Sequence, residues 1–192
     1  ALTINRQAAF VKTKDLGFKQ EGVMVVPIRD LGIDTRFESF KDKILTVAGV
    51  TSVSRGNSIP AKPFASEYYK PEPTSIDSIL MNFTEIGDDY FETLGVRLLT
   101  GIEFEFLKST DIRPIVVNQT VISAFEFGDA TEALGRDMFH NGEKYKIVGV
   151  VQDFNYETLH NRIQPLVFHP GKAMEDFMMV RYAGTTSESI AQ

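Results

Sequence analysis

The sequence predicts an α+β fold in which a split β-α-β unit carries a strand-rich insertion. Three observations predict it. Residues 23–54 run apolar strand, amphipathic helix, apolar strand, a unit whose two strands lie parallel with the helix across one face. Residues 177–192 run strand and then the first turns of a helix, a shorter echo that would complete one sheet with the first unit. Between them, residues 70–165 hold mostly short strands separated by Gly, Pro and Asn-Gly turns. The expected division is therefore 1–18 as a leading stalk helix, 19–69 with 166–192 as the split lobe, and 70–165 as the inserted lobe.

In chain order, residues 3–14 read as a short helix, with Ile4, Ala8 and Val11 on one face and Gly17 past its end. Residues 23–28 form a strand. The clearest helix covers 33–48: Asp34 or Thr35 can cap it, Thr35 and Glu38 have capping-box spacing, and Phe37, Phe40, Ile44 and Val47 make its apolar face. Gly49 stops it and residues 50–54 return as a strand. Pro60, Pro63, Pro71 and Pro73, four of the eight prolines, mark 60–73 as an extended connector and a boundary. Residues 79–86 are a strand. Asp88 or Asp89 caps a short helix bearing Tyr90, Phe91 and Leu94, Gly95 ends it, and 96–99 is the next strand.

Residues 114–117 are an apolar strand, and Asn118 caps a helix with Val121, Ile122 and Phe125. A brief helical turn spans 130–135. Residues 138–151 read as a hairpin turned by Asn141-Gly142. Residues 166–169 and 177–181 are the last strands. Both ends read as cut from a longer polypeptide, since the chain opens in a helical pattern without Met and stops one turn into another helix.

The segment 144–159, KYKIVGVVQDFNYETL, is the most informative. Ile147, Val148, Val150 and Val151 make the apolar run of a strand covered on both faces. Gly149 lets a neighbouring backbone or ring come close. Asp153, Phe154, Asn155 and Tyr156 then break the strand into a polar, aromatic corner. Asp153, Phe154 and Tyr156 are the candidate contact residues: buried, the two rings would lock the lobes together; exposed, they would offer a patch to a partner.

Composition excludes several function classes. With 192 residues, 43% hydrophobic and 24% charged, the chain can build a sizeable core. Its net charge of -6 and scattered Lys and Arg argue against nucleic-acid binding. No cysteine is present, so disulfides, thiolate chemistry and Cys-based zinc sites are out. No apolar run approaches the ~20 residues needed to span a bilayer.

The sequence shows no catalytic group. The histidines His140, His160 and His169 have no i+3 or i+4 partner, and His140 beside Asn141-Gly142 reads as an exposed hairpin residue. Asp88 and Asp89 read as cap and dipole partner, while Glu103, Glu105 and Asp111 read as a solvated face. Ser52, Ser54 and Ser58 lie on a strand and its exit without a GxSxG elbow. There is no P-loop, no metal-ligand spacing and no cofactor motif. A hydrolase is accordingly the weakest reading.

Several segments resemble one family in order and spacing. They are the stretch from Asp88 through Tyr90, Phe91, Leu94 and Gly95 to Leu99 and Gly101; the strand and cap Pro114-Ile115-Val116-Val117-Asn118-Gln119-Thr120; the corner from Tyr145 to His160; and Pro165-Leu166-Val167. Together they resemble the MacB-like periplasmic core domain of FtsX-type ABC-transporter permeases. The likeness is firm over about 75–170 and looser outside it. Ile102 stands where an arginine is common, and Ala133 where a proline usually opens the turn.

The resemblance implies an extracytoplasmic loop between two membrane helices, with a porter-like split lobe and a sabre-like inserted lobe. It implies no catalytic residue and no cofactor. Expected partners are a cytoplasmic ATPase subunit acting through the membrane helices, a second permease half, identical or not, and a periplasmic protein or lipoprotein. The expected location is the periplasmic side of an inner membrane. The alternative is a ligand-binding sensor that holds a peptide or lipid in the cleft between lobes, for which a deep apolar pocket would speak.

Overall fold

In the computed structural model of the chain, residues 16–19, 21–28, 36–104, 112–157, 162–171 and 177–183 are described. The expected helix over 3–14, the capping residues Asp34 and Thr35, the terminal helix start, His160, Glu105 and Asp111 lie outside them. The strands are β1 (Val23–Pro27), β2 (Val50–Gly56), β3 (Ala65–Tyr69), β4 (Ile79–Ile86), β5 (Leu98–Gly101), β6 (Pro114–Asn118), β7 (Asp137–His140), β8 (Glu143–Val151), β9 (Leu166–Pro170) and β10 (Phe177–Tyr182). The helices are α1 (Phe37–Leu45), α2 (Tyr90–Leu94), α3 (Gln119–Ala124) and α4 (Ala130–Ala133). A mixed sheet with few helices is the expected α+β class.

All the strands join one ten-stranded sheet, ordered β1-β10-β2-β4-β9-β6-β8-β5, with β3 on β4 and β7 on β8. β10 lies between β1 and β2 and is antiparallel to both, so β1 and β2 run parallel to each other without touching. A single residue pair, Gly56 with Ile86, joins β2 to β4. Bonds just outside the ladder reinforce that crossing: Gly87 N–H donates to the Arg55 carbonyl (2.9 Å) and Asn57 N–H to that of Glu85 (3.1 Å). Gly56 is required here because a Cβ would stand 2.8 Å from the Tyr90 ring.

Beyond this crossing the sheet closes on itself. β4 and β9 are parallel, β9 and β6 antiparallel, β6 and β8 parallel, β8 and β7 antiparallel, and β3 returns to β4 antiparallel. Lys70, directly after β3, bridges to Phe139 of β7 with two backbone bonds of 2.9 Å. The inward positions alternate as strand geometry demands. Met81, Ile115, Val117, Met138, Ile147 and Val167 fill the interior, and Val121, Ile122, Phe127 and Ala133 from the α3–α4 region join the same cluster.

Two further clusters flank the ring. Its outer face (Ile86, Leu166, Phe168, Val116, Val151) packs with α2, the corner rings and Met179 of β10 in a seam core. A smaller core of Phe37, Val53, Met178 and Val180 lies under α1.

Several local readings need correction. The middle of the expected connector 60–73 is strand β3; all four prolines flank it, leaving its N–H groups free to pair. The strand expected over 96–99 begins later, at Leu98. The apolar face expected for α1 is only half covered. Phe37 is buried, but Phe40 is 41% and Val47 39% exposed. Lys41 turns inward instead, because its ammonium reaches Asp89 at 2.6 Å. Asp89 in turn makes no side-chain cap on α2; its carboxylate is held by Lys41. Asn118 caps α3 as expected, accepting from Val121 N–H.

Candidate functional site

The corner after β8 is built by hydrogen bonds that lead away from it in several directions. β8 stops pairing at Val151, and Gln152–Glu157 crosses the outer face of the ring. Gly149 admits a backbone as expected: a Cβ there would stand 2.8 Å from the Ile102 carbonyl. Asp153 faces the start of α3. Its carboxylate accepts from the Thr120 backbone N–H (3.0 Å) and hydroxyl (2.9 Å), and its own N–H donates to the Gln119 side chain (3.1 Å). Asp153 thus supplies a second acceptor to the positive end of α3, beside Asn118.

Phe154 and Tyr156 point into the seam core and are 0% and 1% exposed. Phe154 meets Phe18, Tyr156 and Phe168 with ring centroids 6.0, 5.7 and 6.3 Å away. Gly17 lets it do so, since a Cβ there would fall 2.9 Å from that of Phe154. The Tyr156 ring stacks edge-on with Phe64 at 4.8 Å. Its hydroxyl donates to the Gln164 carbonyl (3.1 Å) and accepts from Asn82 (2.9 Å). Burial pushes the Tyr156 phenol up, out of the range of ordinary titration. Neither ring is offered to a partner.

Sequence reasoning missed Asn118 as a tie. It is fully buried, and its side chain makes three bonds: to Val121 N–H, to Leu166 N–H (2.9 Å) and to the Gln164 carbonyl (3.0 Å). The same residue caps a helix and clips β9 to β6. The capping function was legible from the strand-then-helix pattern; the clip depends on which strand lies beside it.

A cleft of about 430 Å³ opens at the end of the ring away from α3, where β4 and β9 end and β6 and β8 begin. His140 and His169, 29 positions apart in the sequence, meet there around Tyr69. The Tyr69 hydroxyl lies 2.8 Å from His169 Nε2, and its ring stacks on His140 at 4.9 Å. His140 is therefore half-buried in a ring stack, where the sequence suggested a solvated turn. Burial, with a contribution from His140, pushes His169 down to about 4. It is neutral at physiological pH.

This cleft lies within the ring and not between its outer face and the β1-β10-β2 strands. A smaller cavity of about 230 Å³, lined by Phe18, Val23, Ile59 and Leu94 among others, lies at the seam. Among the described residues no group of three or more His, Asp or Glu side chains is placed to hold a metal. The serines of β2 and its exit are occupied: Ser52 with Thr93 (2.6 Å), Ser54 with the Asp88 carbonyl (2.6 Å) and Ser58 with that of Pro63 (3.2 Å). Among the described residues none has a histidine as hydrogen-bond partner.

No protein-family model and no curated protein matches the chain. Solved structures do. The periplasmic region of MacB from Actinobacillus actinomycetemcomitans is similar with a TM-score of 0.58 and 16% identity, over 91% of this chain and 80% of that one. The extracellular domain of the noncanonic ABC-type transporter YknZ from Gram-positive bacteria gives 0.52 and 13%, over 80% and 75%. A domain of a permease protein from Porphyromonas gingivalis gives 0.54 and 15%, over 78% and 70%. At these identities the likeness is one of fold, and it bears out the resemblance read from the sequence.

Proposed function

We propose that this chain is an extracytoplasmic, non-catalytic domain of an ABC-transporter permease subunit, and that its work is to pass conformational change between membrane helices and periplasmic contacts. The observation that carries the reading is the fold held in common with the periplasmic region of MacB, the extracellular domain of an ABC-type transporter and a domain of a permease protein. Among the described residues no helix is long and apolar enough to cross a membrane, so membrane segments would lie elsewhere in the polypeptide. A cytoplasmic ATPase subunit would drive the motion through them, a second permease half would complete the path, and a periplasmic protein or lipoprotein would receive the contact.

The seam supports a mechanical reading. The β1-β10-β2 side would be the porter-like lobe and the ring the sabre-like lobe, joined in the sheet by one residue pair. Coupling of this kind needs an element with two discrete arrangements. The candidate hinges are residues 60–73, whose middle is β3, and the stretch after Leu159, which lies partly outside the described residues. Asp153, Phe154 and Tyr156 would hold the corner as a rigid fulcrum between the two.

A cross-link tests this. This chain has no cysteine, so within it a pair introduced at Ser52 of β2 and Thr93 of α2 is chemically unique, and their hydroxyl oxygens stand 2.6 Å apart. In the full transporter, the oxidised S52C/T93C protein should lose transport and regain it on reduction. Undiminished transport in the oxidised form would remove the mechanical reading.

A further inference from the structure

We propose that the open end of the ring is a binding site for an organic ammonium group, seated among the rings of Phe83, Tyr145 and His169 and against the Glu85 carboxylate. The site rests on the cleft alone and does not depend on the chain being a permease domain.

Three aromatic planes meet in the cleft. The Phe83 ring stands at 87° to that of His169 with centroids 6.0 Å apart, and the Tyr145 ring at 88° and 5.0 Å. All three are half-buried, so each keeps some surface toward the cavity. Such a corner presents π-electron density to a cation. His169 adds no opposing charge, and the Tyr69 hydroxyl occupies its Nε2.

The charges favour the same sign of ligand. Glu85 and His169 are paired across β4 and β9, so their side chains are neighbours on the inner face. No described residue pairs with the Glu85 carboxylate, although it lines the cavity. Among the described residues that line the cleft, the cationic side chain is Arg113, already matched by Glu143 at 3.0 Å. The space for the carboxylate is also built. At Gly171 a Cβ would stand 2.6 Å from both Cβ and Oε2 of Glu85. An anion would meet an uncompensated carboxylate; an ammonium would complete it. At about 430 Å³ the cavity suits a small head group.

The ammonium could belong to a lipid head group or to a soluble amine. The test titrates the chain with choline, followed by NMR, against 3,3-dimethylbutan-1-ol as its neutral isostere and methyl phosphate as an anion. Choline should give saturable shifts at Phe83, Tyr145 and His169, and the other two probes should not. Glu85→Gln should weaken choline binding at least tenfold. Gly171→Ala, which keeps the charge but displaces it, should weaken binding too, and thermal unfolding of each variant reports whether it is folded. Co-sedimentation with phosphatidylcholine vesicles would assign the lipid source; choline binding without co-sedimentation would assign a soluble one. Equal binding of the neutral isostere, preference for methyl phosphate, absence of saturable choline shifts, or full affinity in folded Glu85→Gln would each overturn the proposal.

Discussion

The two sides of the sheet solve the same problem with unequal means. The ring side closes its edges through the Lys70–Phe139 bridge and fills its interior from several strands and the α3–α4 region. On the β1-β10-β2 side α1 covers a core of Phe37, Val53, Met178 and Val180, and apolar groups are exposed at Val25, Phe40, Leu45 and Val47. Closure removes strand edges and raises the number of neighbours that each interior residue has. The open side therefore owes much of its order to the seam core, which draws Met179 from β10, Phe154 and Tyr156 from the corner, and Tyr90, Phe91 and Leu94 from α2.

The strongest way to break this comparison is at the seam. Phe154→Ala removes a ring with no exposed surface that touches Phe18, Tyr156 and Phe168. Burial of this kind costs about 3–5 kcal/mol when lost. Urea unfolding should show the midpoint falling, and hydrogen exchange should show β10 and β2 losing protection before β6 and β8. If β6 and β8 lose protection first, the ring is not the more stable side.

A smaller effect isolates the ring through pH. His169 titrates at about 4 in the folded chain against an ordinary 6.5, chiefly because burial disfavours its cation. The unfolded chain takes up the proton first as pH falls, so the ring is most stable above about 6.5 and loses stability down to about 4. At 1.36 kcal/mol per unit the loss approaches about 3 kcal/mol, less whatever solvent reaches this half-buried ring. His140, Tyr69, Tyr145, Phe83 and Glu85 surround the group. The informative quantity is the difference in stability between the natural chain and His169→Gln between pH 7 and 5. It should shrink as pH falls; a difference constant with pH would mean that His169 is not held neutral by its surroundings.

What was legible follows from what is local. Strands 79–86 and 114–117, the hairpin 138–151, the Asn118 cap and the Asn141-Gly142 turn are written in short apolar runs and turn residues, and the structure has them to within a residue. The Asp129–Glu132 capping box has an equally readable spacing and was missed because the four-residue helix it opens carries no apolar periodicity of its own. Ring closure could not be read, since it rests on two residues 69 positions apart meeting edge to edge. The meeting of His140 and His169 around Tyr69 was hidden for the same reason. So was the inward turn of Lys41, because an ion pair across 48 positions overrode the apolar pattern of its helix. The contact residues Asp153, Phe154 and Tyr156 were recognisable as a corner; the burial of the two rings depended on Gly17, Phe64 and Phe168 arriving from elsewhere.

The smallest expected effect sharpens the contrast from the outside of α1. Phe40 is 41% exposed and outside the α1 core, while Phe37, one turn earlier, is 4% exposed and within it. Helical spacing places both near the same stripe, yet the Lys41–Asp89 pair fixes the rotation of the helix so that the line of contact runs through Phe37, Lys41 and Ile44. Phe40→Ser should therefore cost no more than about 0.5 kcal/mol in the isolated chain, as for other surface changes, while Phe37→Ser, which also removes the ring beneath the Arg55 guanidinium at 4.6 Å, should cost several times more. Paired urea titrations decide it. Equal losses would mean that the helix sits rotated toward Phe40, and the open side would then bury more of its apolar surface than its four-residue core accounts for.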